Sequence, residues 1–257
     1  MTTPASVVLQ VAAAAHASAT MSELLAVTDD RGAVKVEHLP APVGGRQHLV
    51  NLQPGTVNIS YRATISAVAR ADPSAVTLTE RVRALRPSRY CPSDRLVGFA
   101  LARFGELPAG LPRVRAVCDY VWQHVQNVGQ TSDSTTDAID TLLAGRGVCR
   151  DFAHLVAALC RAVEVPARIA SVYAPGLSPM DFHAVVETEI DGRWQVWDAT
   201  RSAPRQAMVR IATGRDAADT AFISLLTGRA ELTSIEIVAI TDGDLPRDDH
   251  DELVALA

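Results

Sequence analysis

The chain has 257 residues, of which 48% are hydrophobic, and its formal net charge at pH 7 is -5. This length suits one large domain or two smaller ones, and the hydrophobic content is sufficient for a buried core. The negative charge argues against nucleic acid or an anionic membrane as the main partner, because phosphate binding needs a concentrated basic surface.

Cysteine usage and the N-terminal residues both predict a cytoplasmic protein. The four cysteines form no C-x-x-C pair and are too sparse for a secreted disulfide scaffold. Residues 7–15 are apolar, but no Lys or Arg precedes Arg31, so the basic region of a signal peptide is missing. No apolar run reaches the roughly 18 residues of a membrane span. Cys118 and Cys160 are predicted to be buried, whereas Cys91 is a candidate exposed thiol.

Residues 6–82 alternate between apolar and polar in short runs, which is typical of half-buried strands. Proline and glycine punctuate these runs, and one of the predicted turns is Asp72-Pro73. Residues 1–85 are therefore predicted to form an N-terminal β domain resembling a sandwich. Its histidines have no catalytic spacing and are expected to have surface or core roles: His16, His38 and His48.

The next segment is predicted to be helical. After a linker near residues 85–93, Ser93 can cap a helix over residues 94–104, and further helices are expected over the segments 112–127 and 136–143. A polar loop covers residues 129–136. Three amides near this loop are candidate donors to an oxyanion, or ordinary solvated side chains, and the sequence does not choose among them: Gln123, Asn127 and Gln130.

A thiol lies at the predicted start of the following helix. Gly145 and Gly147 precede Cys149, and apolar residues then recur at helical spacing until Pro166 ends the helix. Cys149 thus falls in the first turn, where unpaired N–H groups and the helix dipole favour a thiolate. Free cysteine more often packs as a small hydrophobic residue, and position alone leaves both interpretations open.

Further along, Asp191-Gly192 predicts a two-residue hairpin turn. The flanking segments, residues 182–190 and 193–199, are rich in β-branched and aromatic residues and are predicted to be strands. With this turn, His183 and Asp198 lie on the same face as diagonal neighbours, about 7 to 8 Å apart at the backbone. A one-residue bulge would instead move Asp198 to the opposite face.

Three blocks in this order resemble the transglutaminase-like superfamily of cysteine enzymes, over residues of about 114–239. They are Gly-Val-Cys-Arg-Asp-Phe-Ala-His-Leu from residue 147, Asp-Phe-His-Ala from residue 181, and Trp-Asp-Ala-Thr from residue 197, where the family more often has Asp-Pro-Thr. The resemblance implies a catalytic triad of Cys149, His183 and Asp198. It also implies an α+β, papain-like core in which the catalytic helix packs on an antiparallel sheet.

Other features have simpler interpretations. Five residues separate Cys149 from His154, so the two side chains diverge by about 140° on a helix, and His154 is expected to be a structural histidine bonded to backbone or a carboxylate. Arg215 and Asp216 could line a cleft, although a surface ion pair is the commoner case. Residues 232–240 are predicted to form a final strand, and the acidic tail, residues 241–257, is expected to be frayed.

The sequence therefore predicts a catalytic domain over residues 86–240 that acts on a protein or peptide amide without a cofactor or metal. Cys149 would be the nucleophile, His183 the base and then the acid, and Asp198 the group that orients the imidazole. Hydrolysis is favoured over transamidation. A non-catalytic scaffold and a thiol redox or metal protein are the alternatives, and substrate identity and oligomeric state stay open.

Overall fold

The computed structural model of the chain describes residues 3–15, 19–67 and 75–256. His16 and the turn predicted at Asp72-Pro73 lie outside these residues. The helices are α1 (Leu78–Leu85), α2 (Val97–Phe104), α3 (Leu111–His124), α4 (Ala138–Ala144), α5 (Cys149–Ala162) and α6 (Ala217–Thr220). The strands are β1 (Ala5–Leu9), β2 (Ala19–Asp29), β3 (Gly32–Ala33), β4 (Val36–Pro40), β5 (Arg46–Leu52), β6 (Val57–Ala67), β7 (Gln126–Asn127), β8 (Arg146–Gly147), β9 (Ala167–Tyr173), β10 (Phe182–Ile190), β11 (Arg193–Trp197), β12 (Val209–Gly214) and β13 (Ile223–Thr227).

A four-stranded antiparallel sheet in the order β11-β10-β9-β12 is the centre of the predicted catalytic region. Helix α5 packs on one face of this sheet, and its residues share a large apolar core with α2, α3 and α4. Successive strand residues point to opposite faces, so Ile169 belongs to the core under α5 whereas Ala170 belongs to a second core on the other face. The α+β fold with a helix on an antiparallel sheet is confirmed.

The predicted start of α5 at Cys149 is confirmed, and the helix ends at Ala162, four residues before the Pro166 that was predicted to end it. Glu164 then adopts a left-handed backbone conformation, with φ of 63°. The N–H of Val165 donates to the carbonyl of Cys160, at 2.9 Å. This reversal ends the helix just before Pro166, which cannot continue it.

The hairpin that joins β10 and β11 has the predicted register. Asp191 and Gly192 both have positive φ, 50° and 75°, as a two-residue turn of the I′ type requires. Ile190 pairs with Arg193, and the ladder continues to Val186 opposite Trp197 without a bulge. The pairing therefore keeps residues 183 and 198 on the same side of the sheet.

The N-terminal residues form two further antiparallel sheets, with orders β13-β1-β5-β4 and β3-β2-β6. One apolar cluster takes residues from both, including Val7 of β1 and Val27 of β2. Strand β13, from the far end of the chain, completes the first sheet beside β1. The sandwich arrangement and the domain boundaries at 85 and 240 stay predictions, but α1 was not expected within residues 1–85.

The helical segment differs from the prediction at its ends. Ser93 does not cap α2, because residues 93–95 form a 3-10 turn and the N-cap of α2 is Leu96, which has no side-chain hydrogen bond. Helix α3 ends at His124, three residues before the predicted end. Helix α4 is capped by Asp137, whose carboxylate accepts from the N–H groups of Ile139 and Asp140.

Across the described ranges, no helix combines the length and apolar character that a membrane span needs.

Two predictions for the C-terminal region are wrong. Residues 232–240 have the apolar pattern of a strand, yet no described neighbour pairs with them, and Val238 and Ile240 are 64% and 75% exposed. The acidic tail, in contrast, is not frayed over residues 248–256. Val254 and Leu256 are buried against the four-stranded sheet β11-β10-β9-β12, and Asp248 forms an ion pair with Arg205, so local composition did not reveal the partners that hold this segment.

Candidate active site

The backbone around Cys149 is shaped by two glycines and one aspartate. Gly145 ends α4 in the left-handed conformation, with φ of 62°. Gly147 has no room for a side chain, because a Cβ there would lie 2.7 Å from Cβ of Asp151. The Asp151 carboxylate accepts from the N–H of Val148 at 2.9 Å. These contacts fix the residue before Cys149 and place the thiol in the first turn of α5.

Asp151 also ties the preceding loop to this helix. The hydroxyl of Ser132 donates to Asp151 Oδ1 at 2.9 Å, and Arg150 Nε donates to the same oxygen at 3.2 Å. Arg150 Nη2 reaches the carbonyl of Asp133 at 2.6 Å. Asp151 was not among the predicted site residues, although an acidic residue at this position of a first turn is a recognisable capping arrangement.

His183 and Asp198 form a buried hydrogen-bonded pair. His183 Nε2 lies 2.9 Å from Asp198 Oδ2, and the two residues are 2% and 5% exposed. The other oxygen of Asp198 accepts from the N–H and hydroxyl of Thr200, at 2.9 and 2.7 Å. The carboxylate is therefore held from both sides, and with Nε2 occupied, Nδ1 is the imidazole nitrogen left for another partner.

The thiol of Cys149 lies next to this pair. Its Sγ is 4.0 Å from the carbonyl oxygen of Phe182, the residue before His183. Nδ1 of His183 is buried and has no hydrogen-bond partner within the described residues. The predicted site residues are thus brought together: Cys149 at the start of α5, His183 in β10, and Asp198 directly after β11.

Electrostatics favour a charged imidazole. Burial alone lowers the pKa of His183, but the carboxylate of Asp198 and the nearby Cys149 side chain raise it well above its ordinary value. Burial raises the pKa of Asp198, yet His183 and Thr200 outweigh this effect and hold it below the usual range. An imidazolium that persists at high pH can accompany a thiolate, which is the nucleophilic form of cysteine.

The other three cysteines do not share these surroundings. Cys91, predicted as a candidate exposed thiol, is fully buried, and this prediction is wrong because its segment packs under α5. Burial raises the pKa of both Cys91 and Cys160 to about 12. Cys118 is also buried, as predicted, so Cys149 alone among the four cysteines is partly exposed.

His154 has the expected structural role. Its ring is buried, Nε2 accepts from the N–H of Ala217 at 3.1 Å, and the ring stacks on Tyr90. Burial, followed by the charges of Arg150 and Arg161, lowers the pKa of His154 to about 3, so the ring is neutral. Among the residues that the structure describes, no group of three His, Cys, Asp or Glu side chains could hold a metal ion.

The remaining candidates lie around this site in different roles. Arg215 forms an exposed ion pair with Asp219, at 2.9 Å, whereas Asp216 is buried and accepts from the N–H groups of Ala218 and Tyr90. Gln123, Asn127 and Gln130 are exposed. The short ladder of β7 and β8 places Asn127 beside Gly147. The N–H of Cys149 lies in the first turn of α5, where backbone N–H groups lack partners within the helix.

Comparison with known proteins gives concordant matches. The sequence model of the transglutaminase-like superfamily matches residues 102–199. The crystal structure of a proposed cysteine protease from Cytophaga hutchinsonii is 34% identical, covers 98% of this chain and 91% of its own, and superposes with a TM-score of 0.86. An uncharacterised protein of Mycobacterium leprae is 23% identical over 192 residues, which cover 70% of this chain and 67% of that protein.

Proposed function

The chain belongs to the transglutaminase-like superfamily, and on that premise we propose that it is a cysteine-dependent amide hydrolase that acts through a thioacyl-enzyme. Superfamily membership and the similarity to the Cytophaga protein support cysteine hydrolase or transglutaminase-type activity in general. The proposal goes further in assigning Cys149 as nucleophile, His183 as base and acid, and Asp198 as the residue that orients the imidazole.

The observation that carries this assignment is the position of His183 between Asp198 and Cys149. Nε2 of His183 is hydrogen-bonded to Asp198, and Nδ1 of His183 has no hydrogen-bond partner within the described residues. The side chain of Cys149 raises the pKa of His183. A proton can therefore pass from the thiol to Nδ1 and leave an ion pair of thiolate and imidazolium. The buried carboxylate fixes the ring orientation and stabilises its positive charge.

In the proposed reaction, the thiolate attacks the amide carbonyl and forms a tetrahedral intermediate. Its oxyanion accepts a hydrogen bond from the Cys149 N–H, an interaction of a type worth about 3 kcal/mol. His183 then protonates the amine as the C–N bond breaks, which leaves a thioester. Water attacks the thioester, gives a proton to His183, and releases the carboxylic acid as the proton returns to the thiolate.

Water is the proposed acceptor, and a primary amine is the runner-up. An amine must compete with water at roughly 55 M, which requires a subsite that holds the amine next to the thioester. Lys35 is the only lysine in the chain, so crosslinking between copies of this protein is not the proposed role. A protein or peptide amide as substrate, and a cytoplasmic location, are further parts of the proposal.

Glutamine-containing peptides incubated with a labelled primary amine test the proposal. We expect free acid and ammonia or a cleaved peptide, little labelled product, and loss of all turnover in Cys149→Ala. Mass spectrometry of Cys149 should detect an acyl adduct. Efficient amine incorporation would replace hydrolysis by transamidation. Turnover retained in Cys149→Ala would overturn the assignment of the nucleophile, and absence of turnover and of an acyl adduct in the wild type would favour a non-catalytic scaffold.

A further inference from the structure

The strand that leads to Asp198 lies at the edge of its sheet, and the C-terminal segment closes that edge. Strand β11 pairs with β10 on one side, and on its other side, within the described residues, only Arg193 forms an isolated bridge, with Ala75. On its open side, the N–H of Val196 donates to the carbonyl of Val254 at 2.7 Å, and the carbonyl of Val196 accepts from Arg205 Nη1 at 3.0 Å. Val196 lies two residues before Asp198, and its N–H and its carbonyl are therefore both hydrogen-bonded to residues outside the sheet.

Arg205 is the centre of this arrangement. Its Nε and Nη2 donate to the two carboxylate oxygens of Asp248, each at 2.8 Å, and its backbone N–H donates to the same carboxylate at 2.9 Å. Nη2 also reaches the carbonyl of Glu252 at 3.2 Å. The side chains of Arg205 and Asp248 are 1% and 4% exposed, so a bidentate pair of this kind fixes both position and orientation.

Apolar contacts anchor the same segment to both strands of the catalytic hairpin. Val254 and Leu256 are buried in one cluster with Val185 of β10 and Val196 of β11. Val185 follows His183 by two residues, and Val196 precedes Asp198 by two. We name residues 248–256 the C-terminal clamp, because they hold these two strand positions from one side.

The clamp also borders the carboxylate itself. A cavity of about 20 Å³, enough for roughly one water molecule, has Asp198 and His250 in its wall. The other charged groups around it are Arg115, Asp119, Arg201 and Arg205. A shift of the clamp would therefore change both the backbone that presents Asp198 and the polar surroundings of its side chain.

We propose that Arg205 and Asp248 are positioning residues, which hold the C-terminal clamp against β11 and thereby keep Asp198 in hydrogen-bonding distance of His183. The inference rests on the proposed function, because the clamp affects catalysis only if Asp198 orients the imidazole of His183. A misplacement of about 1 Å at a catalytic group can cost about 100-fold in rate, so a distant ion pair can have a large effect on turnover.

Asp248→Asn tests this inference, with Asp219→Asn as a matched control. Asp219 accepts from the N–H, Nε and Nη2 of Arg215, the same set of donors that Asp248 accepts from Arg205. For Asp248→Asn we expect kcat to fall about 10- to 100-fold with KM little changed. The alkaline limb of the pH profile should move to lower pH, since a displaced Asp198 supports the imidazolium less. Asp219→Asn should behave like the wild type.

Alkylation of Cys149 by iodoacetamide, followed against pH, separates the two levels of the hypothesis without any substrate. If His183→Ala and the wild type give the same alkylation profile, the proposed function fails. If they differ but folded Asp248→Asn matches the wild type in its alkylation profile, the clamp inference is overturned. If Asp248→Asn does not fold, Asp248→Glu replaces it, because glutamate keeps a carboxylate. We expect the pH profile of Cys149 alkylation to shift in the same direction but by less, and an unchanged profile contradicts the inference.

Discussion

The two faces of the β11-β10-β9-β12 sheet are stabilised in different ways. The face under α5 is apolar, with residues such as Leu155, Leu159 and Ile169 fully buried. The opposite face combines a small apolar cluster with buried charges. Arg168, Glu187 and Arg210 lie on three adjacent strands there, and Arg205 with Asp248 lies at the edge. One face depends on burial and close packing, the other on complete pairing of charges.

Glu187 shows how strict this pairing is. Its carboxylate is 1% exposed and accepts from Arg210 Nη1 and Nη2, at 2.7 and 2.8 Å, and from Arg168 Nε at 2.8 Å. Arg168 also lies over the ring of Trp194 and binds Glu80 of α1. Removing one member of such a group leaves an uncompensated buried charge, whereas truncating an apolar residue leaves only a cavity.

The largest effect should come from Asp198, at the end of the edge strand that the clamp closes. Asp198→Asn should lower kcat by about 10⁴-fold, as expected when the imidazole loses the group that orients it. Because Asp198 raises the pKa of His183, the alkaline limb of activity should also move to lower pH. Steady-state kinetics across pH measure both. A retained rate in a correctly folded variant would separate Asp198 from the chemistry.

The second prediction concerns the charged face and the stability that its buried carboxylate, Glu187, provides. Glu187→Gln leaves Arg168 and Arg210 buried with fewer partners, so the free energy of unfolding should fall by about 3 to 5 kcal/mol. Glu37→Gln is the control, because its pair with Lys35 is exposed and such pairs contribute about 0 to 1 kcal/mol. Urea titration measures both variants, and similar small losses would mean that this cluster contributes no more than a surface pair.

The third prediction concerns the apolar face. Leu159→Ala should reduce the free energy of unfolding by about 2 to 5 kcal/mol, since Leu159 is fully buried and its removal leaves a cavity. Its loss should be the same at pH 4 and pH 7, because no titratable group is involved. A loss that changes strongly with pH would show that the two faces do not act separately.

The faces also differ in how far the sequence predicted them. Phe152, Leu155 and Leu159 follow helical spacing within one segment, so the periodicity predicted α5, although residues 151–162 are buried on every side of the helix. The hairpin register followed from Asp191-Gly192 in the same way. His183 and Asp198 could be placed from that register, but the closeness of Cys149 depended on resemblance to a family, because packing of a helix on a sheet is not written in local spacing.

The charged face could not be predicted from spacing. Arg205 and Asp248 are 43 residues apart, and Arg210 and Glu187 are 23 residues apart. Arginine and aspartate in loops and tails are usually solvated. The same rule made the C-terminal tail look frayed. Tertiary structure determines which charged residues pair over such distances along the chain, and no periodic pattern in the sequence predicts these pairs.

Acid should weaken the charged face selectively. Burial raises the pKa of Glu187, but Arg210 and Arg168 outweigh it and lower the value from 4.5 to about 2. The unfolded chain therefore binds a proton at higher pH than the folded one. Stability from Glu187 is complete above about pH 4.5 and is lost as pH falls toward 2, by about 3 kcal/mol at most. Thermal unfolding between pH 5 and 2.5 measures this loss, which should be reduced in Glu187→Gln; an equal loss in both proteins would assign it to other carboxylates.

The smallest expected effect compares two helix caps, one on each side of the sheet. Asp137 caps α4, which leads to Cys149, and accepts from two backbone N–H groups, at 2.7 and 3.0 Å. Thr77 caps α1, which packs toward the charged face, and accepts from one, at 3.2 Å. Replacement of a cap by alanine costs about 0.5 to 2 kcal/mol. Because Asp137 satisfies more donors, Asp137→Ala should lie near the upper part of that range and Thr77→Ala near the lower part.

Glu80 of the α1 cap is also held by Arg168, at 3.0 Å, which keeps that helix start in place when Thr77 is lost. Urea titration of the two variants gives the comparison. A larger loss for Thr77→Ala would mean that its cap, through Glu80, supports the charged face itself, and the double variant with Glu187→Gln would then show a smaller loss than the sum of the two single ones.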